Sequence, residues 1–75
     1  MTRCKFKCTM ATQHGSDALE VKLEAVTSGS EENKTFWKYT PSGQLSMWIS
    51  NPAVFGQFVV GQEYYLDITP AGGAA

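Results

Sequence analysis

The residues able to do chemistry in this chain are few, and their spacing works against them. Cys4 and Cys8 stand close to the N-terminus. A disulfide needs Cα atoms within about 7 Å, whereas the span from Cys4 to Cys8 along a strand is about 13 Å. On a strand, these thiols can neither bond to each other nor share one zinc ion, which would also have to recruit His14, the single histidine, and a fourth ligand. They read instead as small buried hydrophobes. His14, Ser16 and Asp17 are the residue types of a hydrolytic triad, but a triad converges from separate elements and these are near neighbours. With Gly15 they have the composition of a turn. Glu31 and Glu32 offer two adjacent acids, short of the several spaced oxygens of a calcium loop. Ser28-Gly29-Ser30 has the small residues of an anion-binding nest, but acids follow it directly. Asp67 falls on the outward side of a strand with Glu63 and Tyr65, as a solubilising charge. No catalytic residue, metal site or cofactor is predicted, and the chain is expected not to be an enzyme.

The elements that hold these residues follow from periodicity. In residues 3–10, Cys4, Phe6, Cys8 and Met10 alternate with Arg3, Lys5, Lys7 and Thr9, which is the pattern of a half-buried strand. Residues 18–26 alternate again, with Leu19, Val21, Leu23 and Ala25 on one side. The two runs fit as a hairpin joined by the turn at His14-Gly15-Ser16-Asp17. Pairing residues whose numbers sum to 31 sets Met10 against Val21, Cys8 against Leu23, Phe6 against Ala25 and Lys7 against Glu24; a sum of 29 is also allowed. Residues 28–34 are polar throughout and predict an exposed loop. Residues 35–40 are an aromatic, β-prone run, Pro41-Ser42-Gly43 is a turn, and residues 44–50 alternate once more. This second hairpin would pair Tyr39 with Leu45, Trp37 with Met47 and Phe36 with Trp48. Asn51 and Pro52 start a short helix, which Gly56 interrupts. Residues 63–69 form the last strand, with Tyr64, Leu66 and Ile68 inward. The expected fold is mainly β: a small five-stranded barrel or bent antiparallel sheet, SH3-like or OB-like, with one short helix before the last strand. Residues 1–70 would form the single domain and 71–75 a Gly/Ala tail.

Seventy-five residues bury a modest core, so assembly with copies of itself or with a larger structure is expected to support the fold. The net charge is −1, from 6 basic and 7 acidic residues, and a nucleic-acid binder would show a basic stripe instead. Charged residues make up 17% of the chain against about 25% in ordinary domains, which leaves room for contact patches. No run reaches the roughly 20 apolar residues of a membrane helix, and residues 1–10 lack the apolar core of a signal peptide. The surface singled out for binding is aromatic: Phe36, Trp37, Lys38, Tyr39 and Trp48. One pair of these large rings is hard to bury in so small a domain, and clustered exposed rings mark interaction sites.

From Glu32 onward the chain resembles a family of small proteins encoded by tailed bacteriophages. The matching residues are Glu32-Asn33-Lys34-Thr35-Phe36-Trp37-Lys38-Tyr39-Thr40-Pro41-Ser42-Gly43, then Asn51-Pro52-Ala53, Phe58, Gly61 and Tyr64-Tyr65-Leu66-Asp67-Ile68-Thr69-Pro70-Ala71. They cover about half of the chain. Ile68 departs from a position that more often carries Phe, and Gly72 to Ala75 extend past the usual end. The resemblance implies a viral origin and brings no active site. It implies three roles: a minor virion component, such as a capsid decoration or head/tail accessory protein; a host-takeover protein that sequesters a small nucleotide signal or binds a host protein; and a single-stranded nucleic-acid-binding barrel. The first is the leading expectation, with phage structural proteins as partners and the virion or the host cytoplasm as location.

Overall fold

A computed structural model describes residues 2–72. Four antiparallel strands form one open sheet in the order β3-β2-β1-β4, with one α-helix and one 3-10 helix. The protein is mainly β, as its periodicity predicts. The strands are β1 (Thr2–His14), β2 (Ala18–Ala25), β3 (Gln44–Ile49) and β4 (Glu63–Ile68). The helices are α1 (Glu31–Tyr39) and η1 (Pro52–Gln57).

The first hairpin keeps the predicted register over Phe6–Ala25, Lys7–Glu24 and Cys8–Leu23. A bulge between Cys8 and Met10 then shifts it by one residue. Beyond the bulge Ala11, not Met10, stands opposite Val21, and Met10 pairs with Lys22. The extra residue inverts the alternation and lets β1 run on to His14. Thr9 and Cys8 anchor the bulge through side-chain hydrogen bonds to the carbonyls of Lys22 and Met10. On the other side of β1, the Cys8 N–H donates to the Gln62 carbonyl and its own carbonyl accepts from the Gly61 N–H. Gly61 has a φ of 94°, a conformation that favours glycine.

The expected fifth strand is absent from the described residues, and the barrel with it. Residues 35–40 lie mostly in α1, so Trp37–Met47, Tyr39–Leu45 and Phe36–Trp48 are not cross-strand pairs. Instead β3 pairs with β2, through Leu23–Leu45, Val21–Met47 and Glu20–Trp48. The polar loop expected at 28–34 supplies the helix start. Ser30 caps it by accepting from the Asn33 N–H, and Glu31 and Glu32 occupy the first turn, where the helix dipole favours acids. Lys38 complements the C-terminal end.

The inner face of the sheet buries Cys4, Phe6, Cys8, Leu19, Val21 and Leu23, with both cysteines as free thiols. Phe55 and Phe58 pack onto this face from η1 and its C-terminal cap. Asn51 caps η1 by accepting from the Ala53 N–H at 3.1 Å, as its sequence predicts. The Tyr64 hydroxyl ties the segment down by donating to the Gln57 carbonyl and accepting from the Val59 N–H. Leu66 and Tyr64 are half-buried, whereas Ile68 is exposed because it pairs with Thr2 at the very end of β1. Of the expected tail, residues 73–75 lie outside the described residues.

Leu23→Ala removes a side chain from the middle of this face and should cost about 2–5 kcal/mol. In so small a domain that is a large share of the total stability, and urea titration followed by circular dichroism should find the variant largely unfolded.

Candidate functional site

The outer face of the sheet is polar, and one ionic cluster on it positions α1. The Lys5 ammonium donates to Glu32 Oε1 at 2.6 Å and lies 3.3 Å from Glu63 Oε1. The Tyr65 hydroxyl donates to the same Glu32 oxygen at 2.9 Å. The Asn33 amide nitrogen donates to Glu63 Oε2 at 2.7 Å and to the Ser28 carbonyl at 2.9 Å. Two acceptors on that side fix which end of the amide is the nitrogen. Asn33 is 1% exposed, the buried polar residue among those described. Its carbonyl oxygen has no partner among them. Nearby, the Arg3 guanidinium grips Asp67 with two bonds, at 2.7 and 3.0 Å, and lies over the Tyr65 ring. Asp67, expected as a solvated charge, is thus half of a bidentate pair.

These contacts shift protonation in a consistent sense. Hydrogen bonds from Lys5 and Tyr65 hold Glu32 below its ordinary range. The Asn33 amide, followed by Lys5, does the same for Glu63, and Arg3 does it for Asp67. The bond to Glu32, with Glu63 behind it, raises Lys5, and the bond to Glu32 raises Tyr65.

The five aromatic-surface residues fall on two separate patches. Phe36, Trp37, Lys38 and Tyr39 share α1. Phe36 is half-buried and tilts against Tyr65, with ring centres 6.1 Å apart. Trp37 and Tyr39 are 48% and 75% exposed, and the Lys38 ammonium sits 5.6 Å from the Tyr39 ring centre. Trp48 stands on β3 at the far edge of the sheet, 61% exposed. It stacks on His14 at 4.7 Å, and His14 Nε2 lies 3.1 Å from Glu20 Oε1. In the register Trp48 aligns through Glu20 with Thr12, whereas Tyr65 aligns with Lys5. At the strand rise, those two rows lie about 20 Å apart along β1. His14, expected only as a turn residue, is the ring on which Trp48 rests.

Sequence reasoning missed Asn33 and Tyr65. The signal for Asn33 was Ser30 followed at once by two acids, which is a helix start. The signal for Tyr65 was its place between Glu63 and Asp67 on the face opposite Arg3 and Lys5.

Two polar depressions flank this face. One, of about 520 Å³, is lined by Glu24, Ala25, Thr27 and the 41–44 segment. The other, of about 260 Å³, brings Lys7 together with Glu24 and Glu63. On the inner face an apolar cleft of about 120 Å³ lies among Phe6, Leu23, Leu45, Met47, Phe58 and Leu66. No helix among the described residues is long and apolar enough to cross a membrane. No protein-family model, curated protein or solved structure matches this chain.

A carboxylate held below its ordinary pKa binds its proton more weakly in the folded chain than in the unfolded one. The stability it contributes is complete above the ordinary glutamate value of 4.5 and drains away as pH falls through the lowered folded value. Urea midpoints should therefore hold steady from neutral pH to about 5 and then fall on acidification. Asn33→Asp places a second carboxylate against Glu63, so its deficit relative to the natural chain should be largest at pH 7 and shrink toward pH 4.

Proposed function

We infer that this chain is a non-catalytic contact protein, working through protein–protein association as a minor component of a tailed-phage particle. The observation that carries the contact reading is the exposure of two large rings, Trp37 and Tyr39, on the last turns of one short helix that the Lys5–Glu32 ion pair holds to the sheet. Large rings on a fixed element lose little conformational freedom on binding, and such rings dominate the energetics of protein interfaces. The resemblance over the second half of the chain supplies the viral setting, in which capsid or head/tail proteins are the partner class.

The depressions favour this reading over capture of a small nucleotide. The larger one offers a single carboxylate and no cation or aromatic ring, and the smaller one sets two carboxylates against one ammonium. A phosphate would meet net repulsion in both. On the outer face Arg3, Lys5 and Lys7 are interleaved with Asp67, Glu63 and Glu24. That pairing cancels the continuous positive groove a single strand of nucleic acid requires.

Mass spectrometry of purified particles should find this chain at a copy number comparable to known structural subunits. Replacing Trp37 and Tyr39 together by Ala should leave the melting temperature unchanged within a few degrees and deplete the chain from particles. Absence of the natural chain from particles would overturn the virion role.

A further inference from the structure

We propose that β3 is the seam of a two-fold dimer, in which the Gln44–Ile49 strands of two copies pair antiparallel into one continuous sheet. The inference builds on the contact reading above and names one partner, a second copy of this chain.

The strand β3 ends the sheet, and among the described residues its backbone bonds run only to β2. Exposed edges are normally blunted by lysine, proline, a bulge or an inward charge, because free N–H and C=O groups recruit other strands. Gln44-Leu45-Ser46-Met47-Trp48-Ile49 has none of these devices and carries no charge at all. The opposite edge, β4, carries Glu63 and Asp67, both engaged in ion pairs.

The register of such a pairing can be derived. The Ala25 N–H donates to the Gly43 carbonyl at 3.0 Å, in line with the Leu23–Leu45 and Val21–Met47 pairs. Leu45, Met47 and Ile49 therefore turn their backbone groups toward β2, and Gln44, Ser46 and Trp48 turn theirs to the free edge. Inward side chains must meet inward side chains across the seam, so the two-fold axis passes through a residue rather than between two. An axis at Met47 sets Leu45 against Ile49 of the second copy and Met47 against Met47. Ser46 and Trp48 then exchange their free N–H and C=O groups. An axis at Ser46 would leave Ile49 opposite Gly43, and one at Trp48 would leave Leu45 opposite Asn51.

The shape of the chain agrees. It measures 38 × 36 × 17 Å with a radius of gyration of 13.8 Å, against about 11 Å for a compact chain of this length. Its accessible surface is 5171 Å², against about 4,500 Å² for a compact monomer of 8.2 kDa. The excess of several hundred Å² is surface that association can cover.

Native mass spectrometry and light scattering of the purified chain at micromolar concentration should give twice 8.2 kDa. Ser46→Pro removes an N–H that the fold does not use and should yield a folded monomer. Met47→Cys should form a disulfide-linked dimer on mild oxidation, since Cα atoms facing each other across a non-hydrogen-bonded pair are about 4.5 Å apart. Leu45→Cys, opposite Ile49, should not. The cysteine pair decides the question if Ser46→Pro does not fold. A monomeric natural chain, a folded Ser46→Pro that stays dimeric, an open-ended oligomer, or cross-linking at Leu45 in place of Met47 would each overturn the seam. A monomer found in phage particles would refute the dimer and leave the contact reading standing.

Discussion

The ammonium of Lys5 is the contact on which the arrangement of this protein turns. It rises from the N-terminal part of β1 between a carboxylate on α1 and one on β4, and its side chain is only 12% exposed. An ion pair in open water is worth little, because solvent screens it and two long side chains must be held still. Here the partners are held by other means. Asn33 ties Glu63 to the first turn of the helix, Tyr65 steadies Glu32, and the Ser30 cap fixes the end of the helix from which both Glu32 and Asn33 project. The arrangement is a network in which each member orients the next. It is the means by which a nine-residue helix with few apolar contacts keeps one position against a sheet.

That placement explains the division of labour between the two faces. The inner face carries the hydrophobic driving force, with η1 as a partial lid. The outer face stays open and is organised by charge, so that rows of opposite sign run across β4, β1 and β2. A single open layer is an economical use of a short chain, but it leaves large rings and an uncharged strand edge in solvent. In a protein with too few residues for a second layer, such surface is what remains available for contact.

The bulge at Thr9 has a consequence out of proportion to its size. One extra residue turns Met10 outward, brings Ala11 to the core and lets the hairpin continue until His14 can meet Trp48. The stacked pair at the far end of the sheet therefore depends on a register change several residues away. The aromatic residues of α1 depend instead on the Lys5 network. Two patches with different structural causes replaced what the sequence suggested as one surface.

Alternation by itself determined the β character and the inward residues of β2 and of β1 up to the bulge, and it narrowed the register there to two choices, while the Asn51-Pro52 pair marked the capped turn of helix. These are local properties, since a strand that buries one face must alternate and a capping side chain acts within three residues. The fate of residues 28–40 was different. Their rings and β-branched Thr35 favour a strand, whereas Ser30, Glu31, Glu32 and Lys38 favour a helix, and local preference was nearly balanced. Only the tertiary structure decided between them, because the groups that reward the helix, Lys5, Glu63 and Tyr65, lie about thirty residues away along the chain on either side. A contact between elements so distant leaves no periodic trace in the sequence, and it settled both the strand count and the separation of the two aromatic patches.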